Sequence, residues 1–227
     1  MQRVSLQPAF ILHTRAFRDN SLLVDLFTRD YGRVHAVARG VKSSRKRGLL
    51  LPFVPLLVSW SGRTDLVSLS KIESNGLGVT LSGNGLLSGV YMDELLVKLL
   101  HRDDPHPRLF LSYEETLHQL ASVGNIQSAL RMFEKKLLMD IGYGLELTHT
   151  AVGERIEAEK YYYYEHEHGF LPSSNISTTS VFSGATLLSL AEDDLSEATV
   201  LKETKALMRQ LINSLLRDRP LRSRELF

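Results

Sequence analysis

Five cations fall within nine positions: Arg39, Lys42, Arg45, Lys46 and Arg47. Gly40 and Gly48 bracket the last four, in a polar stretch with two serines. Such a loop can follow a phosphate backbone, displacing condensed counterions, so its binding would weaken with salt. Four or five phosphate contacts would give a log–log salt slope of roughly −3 to −4.5. A solvated basic surface loop is the plain alternative. His166 and His168 flank Glu167, with His149 upstream. Two imidazoles at i and i+2 share a strand face and could share a metal ion. No fourth ligand is at hand, and an exposed turn accounts equally for these residues. Other catalytic arrangements are missing from the sequence. There is no P-loop, no G-x-G-x-x-G and no G-x-S-x-G. The pairs Asp103-Asp104 and Asp193-Asp194 are adjacent, which is poor spacing for a two-metal nuclease site. The absence of cysteine excludes disulfides, thiolate nucleophiles and thiolate-bound zinc.

Aromatic side chains decide whether nucleic-acid binding would involve bases. Phe10, Phe17, Phe27, Phe53 and Trp60 stand in the N-terminal part, most at alternating strand positions. Core packing suits them better than base stacking. The expected binding is therefore electrostatic and sequence-tolerant. A second candidate surface lies further on. Arg131, Lys135 and Lys136 stand beside Leu130, Met132, Phe133 and Leu138. An apolar groove edged by cations suits an acidic–hydrophobic peptide, although an ordinary amphipathic helix has the same pattern.

The elements that must carry these residues follow from periodicity. Residues 4–13 form an apolar strand interrupted by Pro8. Leu22 to Phe27 and Arg33 to Arg39 alternate at strand period around the turn Arg29-Asp30-Tyr31-Gly32. Val34, Ala36 and Ala38 share one face; Arg33, His35, Val37 and Arg39 share the other. Leu49 to Trp60 and Leu66 to Glu73 complete five short strands. Five strands at hairpin spacing suit a small barrel, with the five-stranded OB-fold as the natural candidate. Ser74 to Gly89 is rich in Gly, Ser and Asn and marks the expected boundary between residues 1–80 and 81–227. Beyond it the period changes to that of helices, over Leu86–His101, Leu109–Ser122 and Ile126–Ile141. Residues 145–180 are irregular, with short strands expected at Tyr161–Tyr164 and Phe170-Leu171. Two helices follow, with Ser183 and Ser196 as expected caps. The class is thus α+β: a β-barrel, then a mainly helical domain with a small cysteine-free insert.

Charge divides the chain the same way. Residues 1–80 carry 12 Lys/Arg against 5 Asp/Glu, and residues 81–227 carry 15 against 21. The basic part is expected to face a polyanion, although attraction between the two parts would produce the same split. No secretory leader and no membrane-spanning run is expected.

The runs SLLVDLFTRDYGRVHAVARGV, LPFVPLLVSWSGRTDLVSL, RMFEKKLLMDIGYGLEL and LRSRELF, in this order and spacing, resemble the RecO family of DNA repair and recombination mediators. The resemblance implies an N-terminal OB-fold and a helical domain. It also implies a non-enzymatic function: binding single- and double-stranded DNA, annealing complementary strands and, with RecR, helping RecA load on DNA coated by single-stranded DNA-binding protein (SSB). The family's basic barrel surface would fall on Arg33, Arg39, Lys42, Arg45, Lys46 and Arg47. Its groove for the acidic SSB tail is expected on the third helix, with Arg131 and Lys135. Many members carry a four-cysteine zinc module after that helix. Here the place has no cysteine, so no metal or other cofactor is expected. Such a protein would work in the cytoplasm, at the nucleoid, and not at a membrane.

Overall fold

A computed structural model describes residues 2–41, 48–62, 65–122, 124–174, 180–217 and 219–226. The chain divides into two compact units, residues 1–124 with 221–227, and residues 125–220.

In the first unit, five strands close into a barrel in the order β1-β2-β3-β5-β4. They are β1 (Gln2–Phe17), β2 (Ser21–Thr28), β3 (Gly32–Arg39), β4 (Leu56–Gly62) and β5 (Leu66–Ser74). Neighbours run antiparallel except β3 and β5, which are parallel. The fold is OB-like, as the strand count and spacing implied. Its interior holds the predicted face of β3, Val34, Ala36 and Ala38, with Ile11, Val24, Leu26, Val58 and Trp60.

β1 is longer than its apolar pattern suggests. It pairs with β4 near its start and with β2 along the rest, and its register shifts between Val4 and Gln7 and again between Ile11 and His13. Leu6, at φ +49°, sits in the first shift, and its amide donates to Ser59 Oγ at 3.0 Å. These bulges bend one strand around two partners, which closes the barrel and accommodates Pro8. Residues 49–55, expected as strand, are turns instead. Phe53 adopts φ +62° and is buried.

Two helices complete this unit, α1 (Gly83–Leu99) and α2 (Pro107–Ala121). α1 begins inside the glycine-rich stretch read as a linker. Tyr91, Met92, Asp93, Leu95 and Leu96 are buried, with Leu100 at the helix end, whereas Val90 is exposed. Gly89 permits this packing, since a Cβ there would lie 2.7–2.8 Å from Leu81 and the Phe53 ring. The barrel exterior meets α2 through aromatics. The ring of Phe10 lies 5.4 Å from Phe110 and 5.1 Å from Tyr113, and Phe27 lies 5.4 Å from Phe110. This contact places α1 and α2 in the barrel's unit, although composition changes near residue 80.

The terminal 3-10 helix, Arg222–Leu226, also belongs here. Glu94 of α1 accepts hydrogen bonds from the Arg222 and Ser223 amides at 3.0 and 2.8 Å and from Ser223 Oγ at 2.6 Å. Lys98 pairs with it at 3.0 Å. Burial would raise this carboxyl's pKa, but the Ser223, Arg222 and Lys98 donors outweigh it and lower the pKa to about 2.

The second unit holds α3 (Ile126–Asp140), a three-stranded antiparallel sheet ordered β7-β6-β8, and helices α4 (Gly184–Ala191) and α5 (Ala198–Leu216). Asn125 caps α3 by accepting from the Ser128 amide, and Leu130, Phe133, Leu137 and Leu138 are buried as their spacing implies. The sheet comprises β6 (Tyr161–Glu165), β7 (Gly169–Pro172) and β8 (Val181–Ser183). β8 has no signal in the sequence. Tyr162, Phe170 and Phe182 are buried on the sheet's inner face, and Tyr164 packs edge-on to Phe170 at 5.3 Å. Apolar contact holds this module without thiolates. Ser183 caps α4, accepting from the Thr186 amide, but Ser196 does not cap α5, whose N-cap is Glu197. No helix among the described residues is long and apolar enough to cross a membrane.

Candidate nucleic-acid interface

The outer face of β1, β2 and β3 is organised in cross-strand rows. Residues directly opposite one another on neighbouring strands share a face. Outward rows are therefore Phe10–Phe27–Arg33, His13–Asp25–His35, Arg15–Leu23–Val37 and Phe17–Ser21–Arg39. The first row lies under α2. The other three open to solvent and form a groove with two adjoining hollows. One, about 370 Å³, is lined by His13, Arg15, Asp25, His35, Asp65 and Arg102, with Leu23 and Leu66. The second, about 180 Å³, is lined by Phe17, Arg18, Arg39 and residues of β5.

Arg15, Arg18, Arg39 and Arg102 are exposed along this groove. Arg15, Arg39 and Arg102 make no side-chain hydrogen bond or ion pair with any described residue, and Arg18 stacks over the Phe17 ring at 5.1 Å. Four cations without carboxylate partners along one open face are equipped to meet a polyanion. Phe17 is half-buried at the same edge, so a ring and a guanidinium plane stand side by side.

Arg33 and Arg39 share a strand face but have different fates. Arg39 lies at the open end. Arg33 turns toward α1, donating to the carbonyls of Val97 and Leu100 at 2.5 and 3.4 Å and to Asp25 Oδ1 at 3.2 Å. It satisfies the unpaired carbonyls at the end of α1, where a cation also complements the helix dipole. Its charge is used inside the fold and not offered to a ligand. Lys42, Arg45, Lys46 and Arg47 lie outside the described residues. Their flanks are anchored, since Val41 and Leu50 are buried in the barrel cluster and the Gly40 amide donates to Asn20 O at 2.8 Å.

The residues expected to bind an acidic tail are likewise engaged. Arg131 is 5% exposed and donates to Glu134 Oε1 at 2.8 Å. Lys135 donates to Leu190 O at 2.5 Å and pairs with Asp193 at 2.6 Å, closing the C-terminal end of α4. His166 and His168 are exposed at the β6–β7 turn, and no group of three or more His, Cys, Asp or Glu among the described residues is close enough to hold a metal.

The sequence pattern did not single out His13, Arg15, Arg18 or Arg102, and it grouped Phe17 with the core aromatics, whereas Phe17 lies half-buried at the groove edge. The signal was present, because His13, Arg15 and Phe17 alternate. The expected strand ends at residue 13 because the bulge after Ile11 shifts strand parity there. His35 sits between opposing influences. Burial lowers its pKa, the Asp25 carboxylate raises it, and the Arg102, Arg33 and Arg15 cations lower it further; the net shift is downward. Its Nε2 faces both Asp25 Oδ1 and, at 3.0 Å, Arg33 Nη2, so its role as donor or acceptor follows the tautomer.

Two family models together match most of the chain: Recombination protein O N terminal over residues 1–76 and Recombination protein O C terminal over residues 82–225. Among known proteins, the chain is 45% identical to a DNA repair protein RecO from Coxiella burnetii (strain RSA 493 / Nine Mile phase I), over 99% of this chain and 98% of that one. It is 44% identical to a protein of the same name from Alkalilimnicola ehrlichii, over 99% and 91%. A third, from Nitrosospira multiformis, is 42% identical over 99% and 95%.

Proposed function

Because this chain belongs to the RecO family of DNA repair proteins, we propose that it is a non-enzymatic recombination mediator that anneals complementary DNA strands. With RecR, it would assist RecA loading on single strands coated by SSB. The observation that carries this reading is the open, cation-lined groove on the outer face of β1–β3. Arginines 15, 18, 39 and 102 hold DNA there by its phosphates. Neutralising two strands lowers their mutual repulsion, so base pairing proceeds without covalent chemistry. Binding of this kind accepts single and double strands, because both present phosphates. We also assign phosphate contacts to Lys42, Arg45, Lys46 and Arg47, which follow β3 in the sequence. SSB is engaged through its acidic tail, for which Arg131 and Lys135 are the proposed cations, the tail carboxylates competing with Glu134 and Asp193 for them. The protein works in the cytoplasm, on nucleoid DNA.

Annealing of complementary oligonucleotides, bare and SSB-coated, tests this. The expected result is faster annealing of both, with no cleavage in the presence of divalent metal. Binding without annealing would reduce the protein to a general single-strand-binding module, and metal-dependent cleavage would make it a nuclease.

A further inference from the structure

The groove contains two groups that a phosphate track does not need, Asp25 and Asp65. A carboxylate on such a track repels the ligand, so its presence calls for a separate role. Both lie at the end of the groove beside Arg102, in the larger hollow. Asp25 occupies the centre of the His13–Asp25–His35 row, on the middle strand of the three. Its Oδ1 carries the whole internal load, facing Arg33 Nε at 3.2 Å and His35 Nε2. None of the described residues donates to Oδ2. The side chain is 17% exposed, so this second oxygen is a fixed acceptor on the hollow wall, held in place by two nitrogens facing its partner oxygen.

The surroundings fit one nucleoside. About 370 Å³ is enough for a base with its sugar. Leu23 and Leu66 supply apolar wall, and Arg15 and Arg102 supply donors for phosphates or ring carbonyls. A carboxylate oxygen selects for a ligand N–H. Cytosine and adenine present an exocyclic amino group, and guanine does too; thymine and uracil present a carbonyl at the equivalent place.

Resting on the DNA-binding reading above, we propose that this end of the groove is a single-base pocket for amino-bearing bases, with Asp25 Oδ2 accepting from the exocyclic amine. One read base is thereby added to otherwise sequence-tolerant phosphate binding. The pocket takes unpaired bases, whose whole ring can enter it, and excludes paired ones, which are held in their stack.

The test compares homopolymers of deoxycytidine and deoxyuridine, about 16 nucleotides long, at neutral pH and fixed salt. These differ at the atom in question and lack the thymine methyl. Deoxycytidine is expected to bind tighter by about three- to tenfold, the size of one added hydrogen bond. Asp25→Asn is expected to bring that ratio close to one. A deoxycytidine polymer carrying N4,N4-dimethylcytosine keeps the ring but has no amine hydrogen, and should lose the advantage on the unaltered protein. Equal binding of cytidine and uridine polymers overturns the pocket and leaves the DNA-binding reading standing. An Asp25→Asn protein that binds both more weakly with the ratio intact also overturns it, because Asp25 then only positions Arg33 and His35. If no polymer binds, both readings fall.

Discussion

At the scale of single residues, identical side chains do different work according to what lies opposite. Arg15, Arg18 and Arg39 have open surroundings, whereas Arg33 closes the end of α1. Replacing any of the first three with Ala should lower the magnitude of the log–log salt slope of DNA binding by roughly 0.7–0.9. Arg33→Ala should instead lower thermal stability, because it leaves helix carbonyls and Asp25 without their partner; a melting curve beside the salt titration separates the two. A buried titratable group is Asp93, which accepts a 2.5 Å hydrogen bond from the Tyr113 hydroxyl inside the first unit. Burial raises its pKa well above 3.8, opposed by the Tyr113 hydrogen bond. The folded state thus prefers the protonated acid. The stability this group contributes is complete below 3.8 and is lost as pH rises through the raised folded value. Asp93→Asn retains an acceptor that cannot ionise. Denaturant titrations across pH should show the variant lacking this loss and, at neutral pH, equal to or more stable than the parent.

At the scale of elements, the barrel was legible because alternation in β2, β3 and β5 reports an inward and an outward face. β1 was only partly legible. Its bulges reset parity at Gln7 and His13, and a local pattern cannot state which of two partners a strand serves. The groove was missed for that reason, since the expected strand stopped at His13 and left Arg15 and Phe17 beyond its end. β8 was invisible because three residues carry too little periodicity, and it exists through pairing with β6. Arg131 and Lys135 show the same limit in a helix. Spacing gives the face of a cation, but the residue across from it decides whether the charge is available. The β2–β3 turn was read correctly and is tighter than its sequence says. Gly32 sits at φ +63°, and a Cβ there would lie 1.9 Å from the carbonyl oxygen of Asp104. Gly32→Ala should therefore displace the segment after α1 and reduce stability by several kcal/mol, combining an unfavourable backbone region with a backbone clash. Arg102 would move with that segment, so weaker DNA binding should accompany the lower melting temperature.

At the scale of the whole molecule, residues 221–227 belong to the same unit as the barrel, although residues 125–220 form another. The tie is the Glu94 carboxylate with its Ser223, Arg222 and Lys98 donors. Its pKa is depressed from 4.5 to about 2, so the stability it supplies is present above 4.5 and disappears as pH falls through about 2. Protection of the Ser223 amide against hydrogen exchange, relative to its intrinsic rate at each pH, should fall across that window, and Glu94→Gln should show the lower protection already at neutral pH. The charge split acquires a sharper meaning from the fold. The cations of residues 1–80 that matter are those left unpaired on one barrel face, and net charge alone could not identify them. The shared terminus has a further effect on biosynthesis. A ribosome releases the barrel strands first, yet the seat on α1 for Arg222 and Ser223 stays empty until the second unit has been made. The first unit to begin folding is thus the last to finish, and the quality of its closure reports whether the intervening polypeptide has been completed.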